Sequence, residues 1–242
     1  MLTQSPILFD AARDAAELLL DGDMALWRLI GFSLAVSVAA TVAAAMVGLP
    51  SGAALGICRF RGRSVLILLA NAFLGLPPVV VGLALYLLLS RLGPLGFLRL
   101  LFTPGAMVLA QALLALPIVT ALSHRAAEQA WREFGDELLV SGASRARAVP
   151  HIIAIGRRGA LTAVLAGFGR TISEVGAILI VGGNIAGYTR TMTTTIVLQT
   201  SQGNLAFALA LGGVLIAISL VVSAGAFALT IHPDRAQYGK NP

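Results

Sequence analysis

Residues 30–57 read IGFSLAVSVAATVAAAMVGLPSGAALGI, a run without one charged side chain, and Arg59, Arg61 and Arg63 follow at once. As an α-helix rising 1.5 Å per residue, the run would extend about 42 Å, more than the roughly 30 Å of a bilayer's hydrocarbon core. In lipid a helix satisfies all its own backbone groups, so the run reads as a membrane span. Pro50 and Gly52 are expected to kink its end or let it emerge early. The arginine cluster behind it belongs in the cytoplasm.

The same pattern recurs outward from this stretch. Residues 64–90 are uncharged but interrupted by Gly75-Leu76-Pro77-Pro78. Two adjacent prolines remove two backbone donors, so that span has to bend or break where its freed carbonyls face protein or a watery cavity. Arg91 and Arg99 then flank a Gly93-Pro94 turn. Further runs cover about 104–123, with Pro117; about 159–182, with Arg170 and Glu174; and 204–231, after a polar loop at 183–203. The fold class expected is all-α, a polytopic transmembrane helix bundle of about five spans.

Composition agrees with lipid as the solvent. Of 242 residues, 57% are hydrophobic and 12% charged, where soluble domains carry roughly 25% charged residues. The mean hydropathy is +0.89 and the pI about 10.7. In a soluble chain a net charge of +6 would suggest nucleic acid. Here the basic residues stand between apolar runs, which fits the positive-inside rule, and no nucleic-acid partner is expected. The single Cys58 excludes an internal disulfide framework. His124, His151 and His232 lie far apart without paired ligand spacing, so no metal site is expected, and no catalytic constellation is present.

Five spans put the termini on opposite sides. With the amino terminus outside, the cytoplasmic segments hold Arg59, Arg61, Arg63, the six arginines of 124–158, Arg235 and Lys240. The outer segments then hold only Arg13, Arg28, Arg91, Arg99 and Arg190. The bias favours amino terminus outside and carboxyl terminus in the cytoplasm. Residues 1–26 are acidic, with apolar positions at helical spacing, and read as an amphipathic helix on the membrane surface. They lack a basic start and an A-x-A site, so no cleaved signal is expected. The transmembrane domain is then 27–231 and the cytoplasmic tail 232–242, too short for an appended regulatory domain.

Residues 124–158 differ in kind: a long polar segment between hydrophobic runs. Asp136-Glu137-Leu138 is followed by Gly142-Ala143-Ser144-Arg145 and then by Val149-Pro150-His151-Ile152-Ile153. A charged helix, a glycine that permits a sharp turn and a second helix would make a rigid projection able to dock on a soluble partner. An ordinary solvated loop is the alternative.

Asp136 through Gly142, with Ala143-Ser144-Arg145, resembles the EAA motif of ABC importer permeases, the loop that contacts the ATPase subunit. The triplet here reads Asp136-Glu137-Leu138, and Ile153-Ala154-Ile155-Gly156 stands where the motif's ending would fall. Downstream, Gly167-Phe168-Gly169-Arg170-Thr171-Ile172-Ser173-Glu174-Val175-Gly176-Ala177 resembles the G-R-x-x-x-E-x-G-A stretch of molybdate and tungstate permeases. Gly182-Gly183-Asn184-Ile185-Ala186-Gly187-Tyr188-Thr189-Arg190-Thr191 and Gly75-Leu76-Pro77-Pro78-Val79-Val80-Val81-Gly82-Leu83 fit the same group. The likeness covers about residues 27–231, and its wording is nearest to the tungstate-type branch.

The resemblance implies a type I ABC importer permease in the cytoplasmic (inner) membrane. Two copies would form one pathway for an oxyanion, tungstate first and molybdate or another oxyanion as the alternative. Two ATP-binding subunits would dock at Asp136, Glu137, Leu138, Gly142, Ala143, Ser144 and Arg145, and a periplasmic or lipoprotein solute-binding protein would deliver the anion. The chain has no G-x-x-x-x-G-K-[ST] loop, so ATP and magnesium belong to the partner and no cofactor to this chain.

Pathway candidates are Arg170, Glu174, Asn184, Arg190, Thr191 and Thr193. Arg170 and Glu174, spaced i, i+4, can neutralise one another; the pair either fixes helix packing or lines the anion path. The threonines of 191–195 either offer hydroxyls to a passing oxyanion or cap the next helix. A secondary transporter is a rival class. It would predict more intramembrane ionisable residues and a repeat of broken helices.

Overall fold

An uncharged run surrounded by lipid must close its own hydrogen bonds, and in the computed structural model residues 30–57 lie within one helix, α1 (Met24–Ile57). The structure describes residues 24–231 together with Arg13 and Glu17. The amphipathic helix expected over 1–26 and the tail 232–242 therefore fall almost wholly outside the described residues; Met24 already begins α1.

The remaining helices are α2 (Arg63–Ala72), α3 (Pro78–Leu89), α4 (Pro104–Val140), α5 (Arg145–Ile155), α6 (Arg157–Ile172), α7 (Gly176–Gly182), α8 (Met192–Ser201) and α9 (Leu205–Ile231). Among the described residues there is no strand, so the protein is all-α. Among the described residues three helices (α1, α4 and α9) are long and apolar enough to cross a membrane, and the number rises to 5 if each of two bent helix pairs makes one span.

One of those pairs is α2 with α3, broken at the expected Gly75–Pro78 stretch. Leu76 precedes a proline and is pushed out of helical geometry, while Pro78 sits at the head of α3, where its missing N–H has no helical partner to lose. The other pair is α5 with α6, bent by 77° at Gly156.

One expectation is corrected and two others gain detail. Pro50 lies inside α1, which runs on as a helix to Ile57. Pro50 cannot donate to the Met46 carbonyl, but Met46 is on an exposed surface. α1 packs closely on α4 on both sides of Pro50, through Gly48 and Gly52. Next, the apolar run 104–123 does not end where the charges begin. The helix continues to Val140, so the first half of the polar segment 124–158 is the expected charged helix and not the alternative solvated loop. Finally, 159–182 is not one helix. Ser173, Glu174 and Val175 separate α6 from α7, which puts Arg170 in the last turn of α6 and Glu174 beyond its end.

The described chain divides into two compact units. One gathers the residues up to Thr41, Leu76–Leu114 and Arg170–Ser219. Its apolar core is built from Val36, Leu85, Leu89, Met107, Leu114, Ile178 and Val181 with small alanines between them. A polar seam crosses the same unit. Thr41 Oγ1 lies 3.0 Å from Thr171 Oγ1, Thr171 Oγ1 donates to the Ser37 carbonyl at 3.3 Å, and Gln111 Nε2 donates to the Thr171 carbonyl at 2.9 Å. In an apolar surround such bonds tie helices together where hydrophobic attraction between them is weak.

The other unit holds Val42–Gly75, Ala115–Gly169 and the chain from Leu220. Here Gly48, Gly52 and Gly56 recur every fourth residue along α1 and meet α4 from Val119 to Glu128. Ser123 Oγ donates to the Leu49 carbonyl across the same seam at 2.9 Å. A Cβ on Gly52 would collide with the Thr120 carbonyl oxygen. Gly52→Leu is therefore expected to cost about 3 kcal/mol or more, because backbone rather than a movable side chain must give way. A thermal melt of the solubilised protein checks this. Gly31→Leu, with nothing within 4 Å of the added carbon, is the matched control, and equal melting of the two variants would refute the close-packing account.

Candidate functional site

The helical corner around Gly142 is built from local chain chemistry. α4 runs to Val140, and Gly142 then takes a φ of +83°, a left-handed conformation that costs glycine little. The Ala143 N–H donates to the Leu138 carbonyl and the Gly142 N–H to the Leu139 carbonyl, each at 3.0 Å. Those paired bonds are a Schellman motif, which satisfies carbonyls that the helix end would leave free. Ser144 restarts the chain as the N-cap of α5, its side chain accepting from the Arg147 N–H at 3.4 Å.

The corner is then locked down. The Arg145 guanidinium donates through Nη1 to the Ile57 carbonyl at 3.1 Å and lies 5.5 Å from the Trp131 ring centroid. One arginine thus caps the end of α1 and makes a cation–π contact with α4. Ala148 and Ile152 of α5 are fully buried against Ala53, Ile57, Ala127 and Ala130. Arg63 Nε holds a second terminal carbonyl of α1, that of Leu55, at 2.6 Å.

The seven residues expected to form the docking segment divide by placement. Asp136, Glu137, Gly142 and Ser144 are exposed, whereas Leu138, Ala143 and Arg145 are partly buried. The sequence reading passed over Leu139 and Val140, the latter 89% exposed at the tip of α4. The signal was present: three consecutive apolar residues at a helix end cannot all face the core. It also passed over Trp131, which Arg145 requires.

The second constellation lies in the unit that contains Arg170–Ser219. Arg170 Nη1 and Glu174 Oε2 are 3.2 Å apart, with the Glu174 side chain 2% exposed and that of Arg170 29%. The other carboxylate oxygen accepts from the Ala177 N–H at 3.2 Å, at the head of α7, and the Glu174 carbonyl accepts from Thr193 Oγ1 at 2.8 Å. Glu174 therefore does two jobs: it neutralises an arginine and fastens the break between α6 and α7.

The threonines following Arg190 are occupied within the fold. Thr191 caps α8 in a reciprocal capping box with Thr194, Thr195 Oγ1 donates to the Thr191 carbonyl at 2.6 Å, and all four threonines of 191–195 are buried. Of the two roles open to them, the structure displays the capping one. Arg190 Nη2 donates to the Asn184 carbonyl at 3.3 Å, which brings those two candidates together in the loop between α7 and α8. Among the described residues no three His, Cys, Asp or Glu side chains converge as metal ligands.

Comparison with known proteins places these features in a wider group. No protein-family model matches the chain. A probable anion ABC transporter permease protein of Haloferax volcanii is 42% identical over 84% of this chain and 91% of that protein. A tungstate uptake system permease protein of Peptoclostridium acidaminophilum is 39% identical over 90% of this chain and 95% of its own length. A molybdenum transport system permease protein of Mycobacterium bovis is 32% identical over 80% of this chain and 76% of that protein.

Proposed function

The chain belongs to the permease subunits of ABC transporters of the molybdate and tungstate type, and from this we propose that it forms the membrane pathway of a tungstate importer. An ABC permease works with an ATPase subunit and a solute-binding protein. In our reading two copies of this chain make one pathway, two ATPase subunits carry ATP and magnesium, and the binding protein delivers the anion from outside. The amino terminus lies outside and the carboxyl terminus in the cytoplasm of an inner membrane. ATP hydrolysis is the partner's work, and this chain is not an enzyme.

The observation that carries the coupling part of this reading is the corner at Gly142. It is rigid where it meets the protein, through Arg145, Ala148 and Ile152, and it offers Leu139, Val140, Asp136 and Glu137 outward. A rigid, partly apolar projection suits a groove on a moving partner, because force applied there passes directly into α1 and α4. Closure of the ATPase pair would shift the corner and switch the pathway between inward-open and outward-open. Tungstate is favoured over molybdate by the higher identity to the relative named for tungstate uptake.

The test is ATPase activity of the permease reconstituted with its ATPase and binding protein, with tungstate, molybdate and sulfate compared. Stimulation by tungstate at the lowest concentration supports the assignment. Equal response to tungstate and molybdate would leave an oxyanion importer without the tungstate preference. An intact complex that responds to none of the three would overturn the substrate class.

A further inference from the structure

The loop between α7 and α8 contains two buried polar atoms that bond to nothing: Asn184 Oδ1 and Arg190 Nε. Only two other such side-chain atoms occur among the described residues, Gln111 Oε1 and His124 Nε2. A buried donor or acceptor without a partner costs about 1–3 kcal/mol, so two in one short loop call for a reason.

The loop's own architecture does not use these atoms. Thr189 Oγ1 donates to the Gly182 carbonyl at 2.6 Å and accepts from the Ile185 N–H at 2.9 Å, which closes the loop. Asn184 adopts a φ of +50°, a left-handed conformation asparagine tolerates, and its backbone carbonyl takes the Arg190 Nη2 bond. Its side-chain oxygen is left over. Arg190, unlike Arg170, makes no ion pair among the described residues. The neighbouring threonine hydroxyls are committed to bonds within the fold, capping α8 or holding the Glu174 carbonyl. What remains is a partly buried guanidinium with a free Nε–H, beside an amide that can turn to present its NH₂ group.

We propose that Arg190 and Asn184 form a transient binding site for a tetrahedral oxyanion, which takes the anion as it enters the pathway. Arg190 donates from Nε, with its charge opposing that of the dianion, and the rotated Asn184 amide donates a second bond. The two donors and one charge give a weak site, as transfer requires, because the anion has to leave again. The site rests on the oxyanion-importer reading and says where that reading acts.

Asn184→Asp is the decisive variant, because the two possible roles of the loop predict opposite results. If the loop merely lacks a neutralising partner for Arg190, the new carboxylate pairs with it, the melting temperature rises and import is unchanged. If the site takes an oxyanion, that carboxylate occupies the arginine and repels the ligand. Tungstate imported per ATP hydrolysed should then fall at least tenfold in proteoliposomes of the full transporter supplied with loaded binding protein.

Asn184→Gly keeps the left-handed backbone and removes the amide. It should lower the same ratio several-fold without lowering the melting temperature much. Equilibrium dialysis of tungstate alone against the permease–ATPase complex should show binding that both variants weaken. Wild-type import per ATP in both variants, or a stabilised Asn184→Asp transporter with full import, would overturn the site and leave a water-bridged loop. A wild-type transporter that imports no oxyanion would instead sink the importer reading itself.

Discussion

Glu174→Ala is expected to remove most of the transporter's uptake and a large share of its stability. The side chain is 2% exposed and holds Arg170 at 3.2 Å, while its second oxygen receives the Ala177 N–H at 3.2 Å. Removing one partner of a buried ion pair costs about 3–5 kcal/mol, since the remaining charge is uncompensated. The residual exposure of Arg170 places this case at the low end, about 3 kcal/mol. Loss of the bond at the head of α7 adds about 1 kcal/mol.

The double role of Glu174 sets an order among variants. Glu174→Gln keeps an acceptor for Ala177 and loses only the charge, so it should melt above Glu174→Ala. Arg170→Gln combined with Glu174→Gln strands no charge and should melt nearest to wild type. Uptake separates packing from passage. If the pair serves packing alone, the double variant regains uptake along with stability. If Arg170 meets the anion, the double variant is stable and still fails to import. Identical melting of all three variants would show that neither the charge pair nor the cap matters.

Gly142→Val should leave an assembled complex that hydrolyses ATP with little import. At a φ of +83° a β-branched side chain is strained by about 1–3 kcal/mol. The chain escapes that strain by leaving the Schellman geometry, which re-aims α5 and the exposed tip at Val140. Uptake per ATP should fall about tenfold or more. Gly142→Asn, a residue that tolerates the left-handed region, should remain close to wild type. Coupled import at the wild-type ratio in the valine variant would remove Gly142 from the transmission.

The spans were legible because a long uncharged run has few alternatives to a helix in lipid, and the Gly75–Pro78 break because two prolines leave carbonyls unpaired whatever surrounds them. A single proline such as Pro50 need not end a helix, and Gly48 and Gly52 pin α1 against α4 on either side of it. The break at Ser173–Val175 had no local signal as clear as proline. It is fastened by Ala177 and by Thr193, the latter 19 residues away from Glu174. Hydropathy stops at Arg125 and marks only the apolar part of α4, whereas helix propensity continues through Ala126-Ala127-Glu128-Gln129-Ala130 into the expected charged helix. At the sites, the Arg170–Glu174 pairing was visible from spacing. The unused atoms of Asn184 and Arg190 were not, since only a folded loop shows which donors its own hydrogen bonds have consumed.

The neutrality of the Arg170–Glu174 pair also bears on the membrane potential. A charge moved through the full field changes in energy by about 2.3 kcal/mol per 100 mV. Two opposite charges that moved together through that field would contribute almost nothing, so this pair would add no electrical term to a conformational switch. A dianion entering a cell with an inside-negative potential faces roughly 4.6 kcal/mol per 100 mV. As long as Arg170 and Glu174 stay paired, they carry no net charge that could offset that work.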